Sequence, residues 1–232
     1  MVVEGIDKFG LIITKYDYTY INKKHKYNPH IFRKKYFGGY KITATSKVAK
    51  EYNVLNDISR KNIDAYPEEI VKATGINIPL QILTSSPLYW LDIKADVQND
   101  TGLTEKEVLS VLKEKAYKKT MKNLIIDYDK DNGFESSLVF KSSCKTVKDS
   151  LIIYIKIPEI ISNRNDDPDY FSNFSEEFLE ENANIIRFER RLQSAKDIKK
   201  AFHLEHMPFV TLDDIFDSQV NVVAEKVKEL FM

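Results

Sequence analysis

Tyr154 stands in an apolar run, Ser150-Leu-Ile-Ile-Tyr154-Ile-Lys156-Ile-Pro-Glu159, and a second run downstream reads Ile185-Ile-Arg187-Phe188-Glu189. Upstream, Leu88-Tyr-Trp-Leu-Asp92-Ile-Lys-Ala-Asp96 adds two carboxylates four residues apart. A phenol, a nearby ammonium and several carboxylates are the parts needed to attack a phosphodiester, with the phenolate as nucleophile and a carboxylate-held cation offsetting charge at phosphorus. In an extended strand Tyr154 and Lys156 project from one face, which sets the ammonium beside the phenol and favours its ionised form. A phenol of pKa about 10 is ionised in only roughly one molecule in a thousand at pH 7, so such help matters. The plain structural reading is a half-buried strand tyrosine with a solvated lysine. Tyr170 is the next phenol in line, after the polar stretch 162–169.

Asp92 and Asp96 share a strand face with Lys94, and desolvating two carboxylates there requires a cation or hydrogen bonds. An oxygen-bound divalent metal supplies that, and so does an edge strand with a wet polar face. Arg187 and Glu189 flank Phe188, either as an ion-paired strand or as working groups. With Arg190, Arg191, Lys196, Lys199 and Lys200 they extend into a basic patch able to follow a phosphate backbone, unless the run is only a solvated helix face. Between Tyr18 and Lys50 there are nine lysines or arginines, among them Arg33, Lys34 and Lys35, and no acid. Aromatic residues interleave them, a pattern suited to single-stranded nucleic acid and also to basic hairpins with half-buried rings. Gly38-Gly39 marks a turn and lacks the spacing of a phosphate-binding loop.

The chain has 232 residues and a formal net charge of zero, so any nucleic-acid partner must be met by local fields rather than by overall charge. That length fits a single domain over 1–232 with a self-sufficient core. Cys144 is the only cysteine, which excludes an internal disulfide and a cysteine-rich zinc site and points to a reducing cytoplasm. No apolar run approaches the roughly 20 residues that span a bilayer, and the start lacks a secretory pattern, so no membrane role is expected. The four histidines include no pair separated by one residue, and no Walker loop, serine elbow or cysteine nucleophile motif is present.

Alternation and short apolar runs predict strands near 9–15, 17–21, 36–45, 88–97, 123–128, 134–141, 150–157 and 184–192. Thr104-Glu-Lys-Glu107 reads as a capping box opening a helix with Val108, Leu109, Val111, Leu112 and Ala116 in one apolar stripe. Ser194 opens another helix, Thr211 the terminal one, Pro67 and Gly75 bracket a fourth, and the acidic stretch 166–181 includes a further one. Pro158 is expected to end the tyrosine strand. Together these predict an α+β fold: a mainly antiparallel sheet with helices packed on it.

The order of these pieces resembles the replication initiators of filamentous phages, the gene II and gene X family, and their rolling-circle plasmid relatives of the HUH-endonuclease type. Lys41-Ile-Thr-Ala-Thr-Ser46-Lys-Val, Asn53-Val, the Asp92-x-x-x-Asp96 strand, Glu135-Ser-Ser-Leu-Val-Phe, Tyr154-x-Lys156-x-x-Glu159 and Arg187-Phe-Glu189 fall in that family's order, and the resemblance covers about 36–216. Two departures are visible: Trp90 stands where the family usually has arginine, and no glycine precedes Asn53. The resemblance implies a Rep-like fold and a site-specific single-strand DNA nickase. Tyr154 would be its nucleophile, Lys156 its neighbour, and Asp92 and Glu189, assisted by Asp96 and Glu159, ligands for Mg²⁺ or Mn²⁺. It further implies origin DNA, single-stranded or as an extruded hairpin, held by the basic segments, with host helicase and DNA polymerase as partners in a bacterial cytoplasm. The alternative is an origin-binding or repressor protein without catalysis.

Overall fold

The computed structural model describes residues 4–21, 25–48, 57–120, 124–128, 135–141, 148–162, 172 and 174–232. Asn53, Cys144 and Tyr170 lie outside them, as do 163–169 of the expected polar loop. In chain order the strands are β1 (Glu4–Thr14), β2 (Thr19–Tyr20), β3 (Ile31–Tyr36), β4 (Gly39–Thr45), β5 (Ile76–Asn77), β6 (Leu88–Gln98), β7 (Leu124–Tyr128), β8 (Glu135–Lys141), β9 (Asp149–Ile155) and β10 (Ile185–Leu192). The helices are α1 (Tyr66–Thr74), α2 (Leu80–Ser85), α3 (Glu105–Thr120), α4 (Lys156–Ser162), α5 (Glu176–Glu181), α6 (Ala195–Ala201), α7 (Leu212–Asp217) and α8 (Val222–Phe231). The fold is α+β, and β1/β4, β3/β4, β7/β8 and β8/β9 are antiparallel pairs. Among the described residues no helix is long and apolar enough to cross a membrane.

The chain forms two compact units, each assembled from separate segments. One comprises Gly5–Asp92 and Leu192–Val220, with strand order β3-β4-β1-β6. Alternation gives its sheet an apolar face: Phe9, Leu11 and Ile13 of β1 are buried, as are Ile42 and Ala44 of β4. Helix α1 has Pro67 in its first turn, where no backbone donor is needed, and stops at Gly75, whose φ of 74° is the left-handed value glycine tolerates. Buried Tyr66 packs its ring 5.5 Å from that of Phe9 and donates a hydrogen bond to the Thr45 carbonyl at 3.1 Å. The strand expected over 36–45 begins only at Gly39. Gly38, at φ 85°, turns the chain after a separate strand, β3, which was not predicted because only Ile31 of its six residues is buried.

The other unit comprises Met1–Glu4, Ile93–Arg191 and Asn221–Met232, with strand order β6-β10-β9-β8-β7. Thr104 and Glu107 form the expected reciprocal cap on α3, the Thr104 amide donating to Glu107 at 2.7 Å and the Glu107 amide to the Thr104 hydroxyl at 3.3 Å. Leu109 and Ala116 are buried, but Val111 is 44% exposed and lies off the stripe. β9 ends at Ile155, earlier than the expected break at Pro158. That proline instead occupies the first turn of α4, where its missing N–H costs nothing. Within the first unit, Thr211 caps α7 rather than the terminal helix. α8 is a further helix, and its Val223 and Ala224 amides donate to the Glu4 carboxylate at 3.0 and 2.8 Å.

Arg190 ties β10 to the start of β9. It donates to both oxygens of Asp149, at 3.0 and 2.9 Å, and to the Val222 carbonyl at 2.6 Å. Lys226 approaches the same carboxylate at 3.4 Å. Burial raises the Asp149 pKa, but the Arg190 hydrogen bonds and charge, with Lys226, outweigh it and hold the carboxyl below its usual range. Arg190→Met is expected to lower the unfolding free energy at pH 7 by about 3 kcal/mol, measured by urea titration. Because the folded pKa is the lower one, this contribution is present in full above about pH 4 and is lost as pH falls through the folded value. The difference between wild type and variant should therefore shrink on acidification.

Candidate active site on the tyrosine strand

In the second unit Tyr154 lies on β9, opposite Ser137 of β8. Its hydroxyl donates to Glu189 Oε2 on β10 at 3.0 Å. The other carboxylate oxygen, Oε1, accepts from Arg191 Nε at 2.5 Å. Glu189 is 3% exposed, so its charge is compensated by a phenol on one side and a guanidinium on the other. Lys156 does not reach the tyrosine as a strand neighbour, because it is the first residue of α4. The helix start nevertheless carries its Nζ to 5.7 Å from the Tyr154 ring centroid, and the same nitrogen pairs with Glu159 Oε2 at 2.7 Å, one helical turn on.

Asp96 is gripped by Arg187, which donates from Nε to Oδ1 at 2.5 Å and from its terminal nitrogen to Oδ2 at 2.6 Å. Buried Lys94 stands 3.9 Å from Oδ2. Asp92 belongs to the other unit, where it is buried and accepts from the indole N–H of Trp90 at 2.8 Å. Trp90, in the position where the resemblance expects arginine, thus supplies an uncharged donor to the aspartate two residues on.

A divalent cation needs several oxygen donors turned to one point. Among the described residues no group of three Asp, Glu, His or Cys side chains is placed to hold one. Asp96, Glu159 and Glu189 already face Arg187, Lys156 and Arg191. As arranged, the donor set does not fit a metal ion.

The cations expected to form a basic patch over 187–200 differ in their exposure and partners. Arg187 and Arg190 are 3% and 8% exposed and bound into ion pairs, because their aliphatic stems sit on a strand packed on both faces. Arg191 serves Glu189, Lys199 donates to the Pro208 carbonyl at 2.6 Å, and Lys200 is exposed. On β3, Arg33 donates to the Thr74 carbonyl and lies over the Tyr40 ring, while Lys34 and Lys35 are exposed on opposite sides of the strand. Asp149 was missed as a charge partner. Counting in twos from Tyr154 and from Glu189 puts both Asp149 and Arg190 on the faces away from the phenol, and that signal was available.

No protein-family model matches the sequence, and no curated protein matches it. Among solved structures, a rolling circle replication initiator protein from Geobacillus stearothermophilus is similar, at 10% identity and a TM-score of 0.39, over 100% of this chain and 97% of that one. At that level of likeness no function passes from one protein to the other.

Asp96→Asn removes the charge that two buried cations share and is expected to cost about 3 kcal/mol of stability. Glu159→Gln leaves an amide oxygen for the buried Lys156 ammonium to donate to and changes the more exposed side of that pair, so it should cost less, about 1–2 kcal/mol. Parallel urea titrations check that order.

Proposed function

We propose that this protein is a tyrosine nickase that starts rolling-circle replication, cutting one DNA strand at an origin and later rejoining it. The observation that carries the reading is the 3.0 Å hydrogen bond from the Tyr154 hydroxyl to the buried Glu189 carboxylate. The ordered motifs shared with phage and plasmid initiators support it.

Glu189, which accepts the Tyr154 hydrogen bond, would take the phenolic proton as the Tyr154 oxygen attacks phosphorus. The bond from phosphorus to that oxygen forms, the bond from phosphorus to the 3′ oxygen breaks, and the departing oxygen is protonated to a 3′-hydroxyl. The product is a 5′-phosphotyrosine. Arg191 keeps the carboxylate aimed, and the Lys156 ammonium near the ring favours negative charge on the phenol oxygen. The freed 3′-hydroxyl would prime a host polymerase, with a helicase opening the duplex ahead of it in a bacterial cytoplasm. Reverse attack on the phosphotyrosine would close the strand. A need for Mg²⁺ or Mn²⁺ belongs to the proposal through the sequence resemblance, and such an ion would offset charge at the scissile phosphate. Glu189 and Asp96 would first have to release their guanidinium partners to hold it.

That pairing is also the observation favouring a second reading, an origin-binding or repressor protein without catalysis. A pool of single-stranded oligonucleotides labelled at the 3′ end, incubated with Mn²⁺ or with EDTA, separates the two. The nickase reading predicts a labelled adduct stable in detergent, absent in Tyr154→Phe and formed about a hundredfold more slowly in Glu189→Gln. An adduct that persists in Tyr154→Phe removes that nucleophile and turns attention to Tyr170. Retained oligonucleotide binding with no adduct in the wild type supports the second reading.

A further inference from the structure

The sheet of the first unit has a second face that the proposed chemistry does not use. Register places Lys8, Gly10 and Ile12 of β1 beside Thr45, Thr43 and Lys41 of β4, and Phe32 and Lys34 of β3 beside Thr43 and Lys41. No registered position on this face is acidic. Lys34 and Lys41 are direct cross-strand partners, an arrangement in which like charges repel and destabilise the pair. Phe32 is 51% exposed beside them.

Two of the ammonium groups rest on rings. Gly10 makes room for these, since a Cβ there would meet the Trp90 Cβ and the Tyr89 ring at 2.9 Å. Lys8 Nζ lies 4.7 Å from the Trp90 ring centroid and Lys41 Nζ 4.5 Å from that of Tyr89. Tyr89 is held by a 2.7 Å hydrogen bond with the Thr43 hydroxyl. Burial pushes its phenol pKa up although that bond pulls the other way, so the ring stays neutral. A cation over an aromatic face is positioned but weakly held, and a phosphate oxygen can draw it away.

We propose that the outer face of β3-β4-β1 is a track for single-stranded DNA, on which Lys8, Lys34 and Lys41 meet neighbouring phosphates and Phe32 stacks a base. A polyanion relieves the repulsion between Lys34 and Lys41, and an exposed ring beside a cation row suits single strands, whose bases offer free faces. This rests on the proposed action on single-stranded DNA.

The test is fluorescence anisotropy with a labelled 20-mer of thymidylate, in the Tyr154→Phe protein so that cutting does not enter. Lys34→Gln with Lys41→Gln should flatten the salt dependence of log K by about 1.4, the value for two lost phosphate contacts on a single strand. Phe32→Ala should weaken binding about tenfold. Lys35→Gln, the neighbouring lysine on the opposite face of β3, should change binding less than twofold. Lys34→Gln should melt no lower than the parent, because a repulsion has been removed, which separates lost binding from lost folding. Equal effects of Lys34→Gln and Lys35→Gln, an unchanged salt slope in the double variant, or tighter binding to a duplex 20-mer would overturn the track. A wild type that forms no covalent adduct but still shows the predicted binding losses would sink the nickase and leave the track standing.

Discussion

Charge removed from water on a strand has to meet its opposite, and β10 carries three such charges. Arg187, Glu189 and Arg190 are all buried, and a buried charge that loses its partner costs several kcal/mol. Strand alternation sends Arg187 and Glu189 one way and Arg190 the other. Arg187 finds Asp96 on β6, Glu189 finds Tyr154 on β9, and Arg190 finds Asp149 at the other end of β9. A slip of one residue in either neighbouring strand would turn each partner to the wrong face. These pairs therefore set strand register as well as satisfying charge.

Tyr154 gains its place from the same requirement. Glu189 needs a donor on each oxygen, and the phenol is one of them. The bond that stabilises the resting fold is also the path along which a proton would leave the phenol in the proposed reaction. Arg191 is half-buried rather than sealed, so under the proposed reaction it is the partner best able to move for a phosphate. Lys156 reaches the ring because β9 gives way to α4 one residue earlier, and a strand continued to Pro158 would have left its pairing with Glu159 unformed.

Much of this was legible in the residues. The Thr104, Ser194 and Thr211 caps announce themselves by short-range chemistry, and the structure forms all three. The strands expected near 88–97, 123–128, 134–141 and 184–192 form within a residue of those bounds, because apolar runs are patterns that a local reading reports well. The misses share a cause, which is that distance along the chain does not reveal what fills the space opposite. β3 has one buried residue in six and so shows no alternation. Arg190 reads as surface charge until Asp149 and the Val222 carbonyl, 41 and 32 residues away, are placed around it. Val111 was placed in the apolar stripe, yet the fold leaves it 44% exposed. In the candidate site, the tyrosine and its carboxylate could be named from the motifs, but the guanidinium on that carboxylate could not, since Arg191 read as a phosphate contact.

The two units divide the work under this account: one carries the reacting phenol with its carboxylate, the other a cationic sheet face backed by aromatic rings. The claim on which the rest turns is that Tyr154 itself becomes esterified. Tandem mass spectrometry of the protein after reaction with single-stranded DNA and Mn²⁺, followed by nuclease trimming and proteolysis, addresses it directly. The account predicts one modified tryptic peptide, spanning 149–156, with a nucleotide mass on Tyr154. A nucleotide on any other residue, with Tyr154 unmodified, would contradict it.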